Sequence, residues 1–123
     1  MRRSVALAAV VLLLAACGGD DDIDTPDAGA CHDAVDGQLT LVAADLKWDT
    51  DCLQASAGPL TIVIDNQDDG QAHNVHLPTA EGSPASPLTQ GPSQQELDVD
   101  LGNGSYEYVC DIHPNMVGTL TVT

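Results

Sequence analysis

The sequence predicts an all-β domain, a sandwich or a barrel. Three observations carry that prediction. Beyond residue 31, apolar and polar residues alternate with a period of two in short runs. No window there shows the 3.6-residue spacing of an amphipathic helix. Turn-forming breaks at Gly58-Pro59, Asp68-Asp69-Gly70 and Gly102-Asn103-Gly104 separate the runs, and the last of them has the form of a hairpin turn.

The chain before residue 31 is of a different kind. Met1–Ala16 has a basic start, Arg2-Arg3, then an apolar run from Val5 to Ala16. That run is too short to span a bilayer and has signal-peptide form. It ends Leu14-Ala15-Ala16-Cys17, which resembles the bacterial lipoprotein signal. The resemblance implies removal of residues 1–16 and a lipid anchor on Cys17. An ordinary secretory signal that happens to precede a cysteine is the alternative. Residues 18–30 are acidic and glycine-rich with almost nothing to bury, so residues 17–30 read as a tether. As a coil it would reach about 20 Å r.m.s..

The domain is expected over residues 31–123. Leu39, Leu41 and Ala43 share one face of its first strand, and Leu60, Ile62 and Ile64 share one face of the run 59–66. Leu97, Val99 and Leu101 alternate with Glu96, Asp98 and Asp100. Residues 105–110 form a further strand, and Leu120 and Val122 point inward from the last. Residues 78–95, rich in Pro, Ser and Gly, read as one long loop in which no element can be placed. The core is aliphatic: the chain has no Phe, one Trp and two Tyr.

The formal charge is −16, and both arginines lie in the leader. Without it, Lys47 alone would face 19 acidic side chains. Such a surface excludes nucleic acid as a partner and fits a basic protein partner, or solubility alone. With Cys17 assigned to lipid, Cys31 and Cys52 are left to form a disulfide in an oxidising compartment, the alternative being two buried thiols. The bond would close a loop of roughly twenty residues, worth about 3 kcal/mol in the chain-entropy account.

The fourth cysteine opens Cys110-Asp111-Ile112-His113-Pro114-Asn115-Met116, which gathers a thiol, an imidazole and a thioether within seven residues. Two His, one Cys and a weak axial Met make the blue-copper arrangement, so one further His is needed. His73-Asn74-Val75-His76 can supply it. With its flanks Tyr106-Glu107-Tyr108-Val109 and Val117-Gly118-Thr119-Leu120, the stretch resembles the cupredoxins, closest to those of amicyanin and plastocyanin type. The upstream Ala72-His73-Asn74-Val75-His76 matches the same family independently, and the resemblance covers roughly residues 38–123. It departs from the family pattern in lacking Phe and in having Cys31 and Cys52.

The resemblance implies a Greek-key β-sandwich holding one type 1 copper ion. It makes His73, Cys110 and His113 the equatorial ligands and Met116 the axial one. It gives Asn74 the part of a hydrogen-bonding neighbour that steadies the cysteine loop. His76, three residues from His73, falls on the opposite face and reads as a surface or core-edge His. The function implied is a membrane-tethered, extracytoplasmic electron carrier that acts as a monomer between redox partners. Copper storage or delivery is the alternative. An enzyme is not expected, because only four His exist and a second copper centre would need more. The electron is expected to leave through His113. An apolar spot there, with Pro114 and Val117, would be flanked by Asp68, Asp69 and Asp111.

Overall fold

The structure is a computed structural model that describes residues 30–123. The apolar leader, Cys17 and the acidic stretch to residue 29 lie outside the described residues. Ten strands occur among those described: β1 (His32–Asp33), β2 (Gln38–Ala44), β3 (Lys47–Trp48), β4 (Cys52–Ala55), β5 (Gly58–Asn66), β6 (Ala72–His73), β7 (Thr89–Gln90), β8 (Ser93–Leu101), β9 (Gly104–Cys110) and β10 (His113–Val122). They build two four-stranded sheets, β1-β4-β10-β9 and β3-β2-β5-β8, with β6 and β7 paired separately. The result is a β-sandwich, as the alternation predicts.

The inward faces are the expected ones. Leu39, Leu41 and Ala43 of β2 are buried, as are Leu60, Ile62 and Ile64 of β5. Leu53, Leu97, Leu101, Leu120 and Val122 meet these Leu and Ile side chains in one cluster, while Ala43 faces a smaller one. Each fully buried Leu or Ile contributes about 2 kcal/mol by leaving water. With no Phe available, the largest core side chain is Tyr108, which is wholly buried. Its hydroxyl donates to Thr50 O at 2.7 Å, so the polar end has a partner. Burial, helped by the negative charges of Asp51 and Asp49, pushes its pKa above the usual tyrosine range.

Two expectations are corrected. Gly102-Asn103-Gly104 is not a hairpin turn within one sheet. β8 is hydrogen-bonded to β5, and β9 to β10, so the turn carries the chain from one sheet to the other. Turn chemistry specifies a reversal but not which neighbour each strand finds, and here the apolar face of each strand selects the opposite layer. The long loop at 78–95 is also shorter than expected. It contains β7, and Ser93–Gln95 begin β8, pairing with Ile64–Asn66. A two-residue strand leaves no periodicity to read.

Cys31 and Cys52 are joined by a disulfide, 21 residues apart. The bond fastens the N-terminal edge strand to β4, where His32 aligns with Leu53 in parallel. Reduction is expected to destabilise the protein by about 3 kcal/mol in thermal or urea unfolding. The metal-binding spectrum of the folded protein should persist, because neither cysteine lies in the site. Identical melting before and after reduction would contradict this.

Candidate metal centre

The site forms where β9 ends and β10 begins. Cys110, the last residue of β9, pairs with His113 across a turn, and the ladder is irregular from there to Val117. His73 comes from the other direction, on the short β6–β7 ribbon, where it pairs with Thr89. Together they bring Sγ and the two imidazoles to one point, with ligand atoms all within 4.8 Å of one another. Cys110 Sγ lies 3.9 Å from His73 Nδ1 and 3.5 Å from His113 Nδ1. Ligands bound at about 2.1–2.3 Å and trigonal angles would lie about 3.7 Å apart, so the trio suits one soft metal ion. The two imidazole rings are 4.6 Å apart. Met116 is buried in the same small cluster as Cys110 and Ala43, and Trp48 packs at its edge.

Access is one-sided. His73 is wholly buried, Cys110 and Met116 nearly so, and His113 alone of the four is partly exposed. Four of the five large apolar side chains exposed among the described residues belong to segments around this end: Leu46, Leu88, Ile112 and Val117. Leu88 precedes Thr89, and Ile112 lies between Cys110 and His113. Val35 is the exception, beyond the opposite end of β2.

Asn74 stands where a tie between the two ligand segments is needed. Its Oδ1 accepts the Asp111 N–H at 3.0 Å. Its Nδ2 donates to Asp111 Oδ2 at 2.7 Å and to Ser86 O at 3.1 Å. The residue after His73 thus holds the residue after Cys110. His76 turns outward, with Nδ1 2.7 Å from the other Asp111 oxygen and Nε2 2.7 Å from Ser83 Oγ. Hydrogen bonds from Asn74 and His76 keep the Asp111 carboxyl below the usual range despite partial burial.

Asp68 corrects the docking expectation. It does not lie on the surface as a free charge, for its side chain is only 13% exposed. Its Oδ2 is 2.8 Å from His73 Nε2, the nitrogen facing away from Cys110. The same carboxylate accepts the N–H groups of Asp45 at 2.6 Å and Leu46 at 2.9 Å. Burial pushes its pKa up, but the bonds from Leu46, His73 and Asp45 outweigh that, and the carboxyl is held below its usual value. A carboxylate on the far nitrogen of a metal-facing His fixes its tautomer and orientation. The sequence offers no sign of this, because Asp68 reads as an ordinary turn residue. Asn66 steadies the loop by donating to Gln71 O and Thr89 O and accepting from the Asp68 N–H.

Asp68→Asn would set an amide N–H₂ against the Leu46 N–H and the His73 Nε2–H together or, flipped, against the Asp45 N–H. The metal-free variant is expected to lose about 2 kcal/mol in urea unfolding. Its copper affinity should fall roughly 10- to 100-fold, as measured by competition with a chelator. Unchanged stability and affinity would remove Asp68 from the site.

Comparison with known proteins agrees with this geometry. The cupredoxin-like domain family matches residues 5–122. The chain belongs to the cupredoxins. Among solved structures, a reduced tryptophan-to-tyrosine mutant of amicyanin is similar at 28% identity and a TM-score of 0.59, covering 73% of this chain and 86% of that one. A reduced Cu(I) form, at pH 4, of a proline-to-glycine mutant of amicyanin gives 27% identity over the same shares, also at 0.59. The oxidised proline-to-alanine mutant gives 28% and 0.59. No curated protein sequence matches. Cupredoxins are copper electron carriers, and the cluster of His73, Cys110, His113 and Met116 in this one could bind one copper ion.

Proposed function

We propose that this cupredoxin is an extracytoplasmic blue-copper electron carrier, tethered to a bacterial membrane through Cys17. Residues 1–16 would be its signal, 17–30 its tether and 31–123 its working domain. His73, Cys110 and His113 would hold the ion equatorially and Met116 axially. The observation that carries the reading is the convergence of Sγ and two Nδ1 atoms within 4.8 Å, walled in except at His113. Copper bound there would accept and release single electrons. The protein's part is rigidity. Cys110 is held by the β9–β10 ladder, Asn74 ties its loop to His73, and Asp68 fixes His73 from behind. Ligands that cannot move between two oxidation states keep reorganisation small. Burial of three ligands favours a carrier over a delivery protein, which must surrender its ion to a partner's ligands.

The deciding experiment is the visible spectrum of the copper-loaded, oxidised protein. It should show one intense band in the red region from thiolate-to-copper charge transfer; a colourless copper protein would defeat the proposal.

The partner is expected to be basic. Asp45 and Asp69 are exposed beside Asp68, which is itself committed inside to His73. Exposed charges are screened over about 8 Å at physiological salt. Electron-transfer rates with a cationic protein should therefore fall as salt rises, and Asp45→Asn with Asp69→Asn should flatten that dependence. A salt-independent rate would leave the acidic surface to solubility.

A further inference from the structure

The metal centre leaves His76 unused, yet His76 stands in the middle of a chain of three side chains. Its Nδ1 is 2.7 Å from Asp111 Oδ1, and its Nε2 is 2.7 Å from Ser83 Oγ. A hydroxyl, an imidazole and a carboxylate in that order and at those separations are the parts of a nucleophilic triad. Such a triad is recognised by geometry and roles, not by the fold that carries it. With the Nδ1–H donating to Asp111, Nε2 is left to accept from the Ser83 hydroxyl.

Each member is held in place. The His76 backbone exchanges two hydrogen bonds with Val109 at 2.9 Å, which locks the imidazole onto β9. The second Asp111 oxygen is bonded to Asn74. Ser83 is exposed and follows Gly82 into left-handed backbone, at a φ of 48°. That region is costly for a residue with a Cβ, and Pro84 after it restricts Ser83 further. Strain of this kind gathers at functional sites. A groove of about 260 Å³ lies alongside, lined by Glu81 and Pro84 on either side of Gly82-Ser83 and by Val99 and Tyr106. Asp98 and Asp100 join Glu81 there, so the groove repels anions.

We propose that Ser83, His76 and Asp111 form a nucleophilic site that takes the acyl group from small, neutral or cationic activated esters. Ser83 Oγ bonds to the acyl carbon while its proton passes to His76 Nε2. The ester C–O bond then breaks, and that proton leaves with the departing oxygen. Water attacks the acyl-serine in the same way, returning Ser83 and a carboxylic acid. Asp111 stays ionised and orients the imidazole. The Ser83 N–H is committed to Ala80 O at 2.9 Å, and Pro84 has no N–H to offer a developing oxyanion. Each such donor is worth roughly a hundredfold or more in rate, so acyl capture with slow release is the expected behaviour.

The test treats the copper-loaded protein with p-nitrophenyl acetate and reads both p-nitrophenol release and the acetylated peptides by mass spectrometry. One acetyl group is expected, on Ser83. Ser83→Ala and His76→Gln should each slow acetylation roughly 100-fold, the usual share of a positioned base, while the visible band reports an intact fold. Acetylation on Lys47 or Tyr106 in place of Ser83 would overturn the inference, as would a wild-type rate in Ser83→Ala. Full labelling of Ser83 in His76→Gln would show the imidazole idle and would overturn it too. If both variants melt lower yet label as the wild type does, the chain is a structural tie and the inference falls. Copper takes no part in the reaction, so the outcome leaves the electron-carrier reading untouched.

Discussion

Cys110→Ser is expected to abolish the visible band of the copper-loaded protein outright. The band needs a thiolate bound to Cu(II), and a serine hydroxyl neither ionises readily nor donates as a soft ligand. The fold should survive. Cys110 is a small buried side chain at a strand end, and its backbone remains in the β9–β10 ladder. The serine hydroxyl, if left without a partner, would cost about 1–3 kcal/mol. Retained circular dichroism with complete loss of colour is the expected pair of results. His73→Ala should also lose the band, whereas His76→Ala should keep it, since His76 points toward Asp111 and Ser83. Loss of colour in His76→Ala with retention in His73→Ala would reassign the upstream ligand.

Gly118→Ala should destabilise the sandwich strongly. Gly118 pairs directly with Tyr108 across the β9–β10 ladder, and the tyrosine ring lies over it. A Cβ at Gly118 would overlap the Tyr108 ring end and approach Asp51 O to 2.7 Å. Neither can retreat. Tyr108 is wholly buried and its hydroxyl is bonded to Thr50 O, while Asp51 O accepts the Thr119 N–H. Overpacking of this kind costs about 3 kcal/mol. Because Tyr108 is two residues from Cys110, the displaced strand should also alter the visible spectrum. Combining Gly118→Ala with Tyr108→Leu should recover part of the stability, since the two changes share one clash. A Gly118→Ala variant that melts like the wild type would refute the argument.

The sandwich was legible because its signal is local. Leu39, Leu41 and Ala43 or Leu60, Ile62 and Ile64 reveal an inward face without knowledge of any neighbour. The candidate ligands were legible for a similar reason: three soft or imidazole donors fall within seven residues, and two His stand close together upstream. What stayed hidden depends on contacts between segments distant in the chain. Asp68 looks like a charge in a turn until His73 and the Asp45-Leu46 turn are folded against it. Gly102-Asn103-Gly104 announces a reversal, but only the choice of layer shows that it crosses between sheets. β7 is two residues long, below any period. Leu46 gives no hint of its left-handed backbone, because Asp68 and Asn115, the side chains bonded to it, are 22 and 69 residues away.

The parallel pairing of β1 with β4, and of β4 with β10, also fixes a direction. β1 runs the same way as β10, away from the end that carries Cys110 and His113; His32 is level with Leu53 and Leu120, and the Ala30 carbonyl accepts from Thr50 Oγ1 just before it. Ala30 therefore stands on the side of β1 nearer the candidate metal centre than the far pole. With Cys17 as the anchor, a coil reaching about 20 Å would keep this end of the domain close to the surface that bears the anchor. Encounters would then be confined largely to a plane, where a partner held on the same membrane meets the carrier at an effective concentration that a freely diffusing one cannot match.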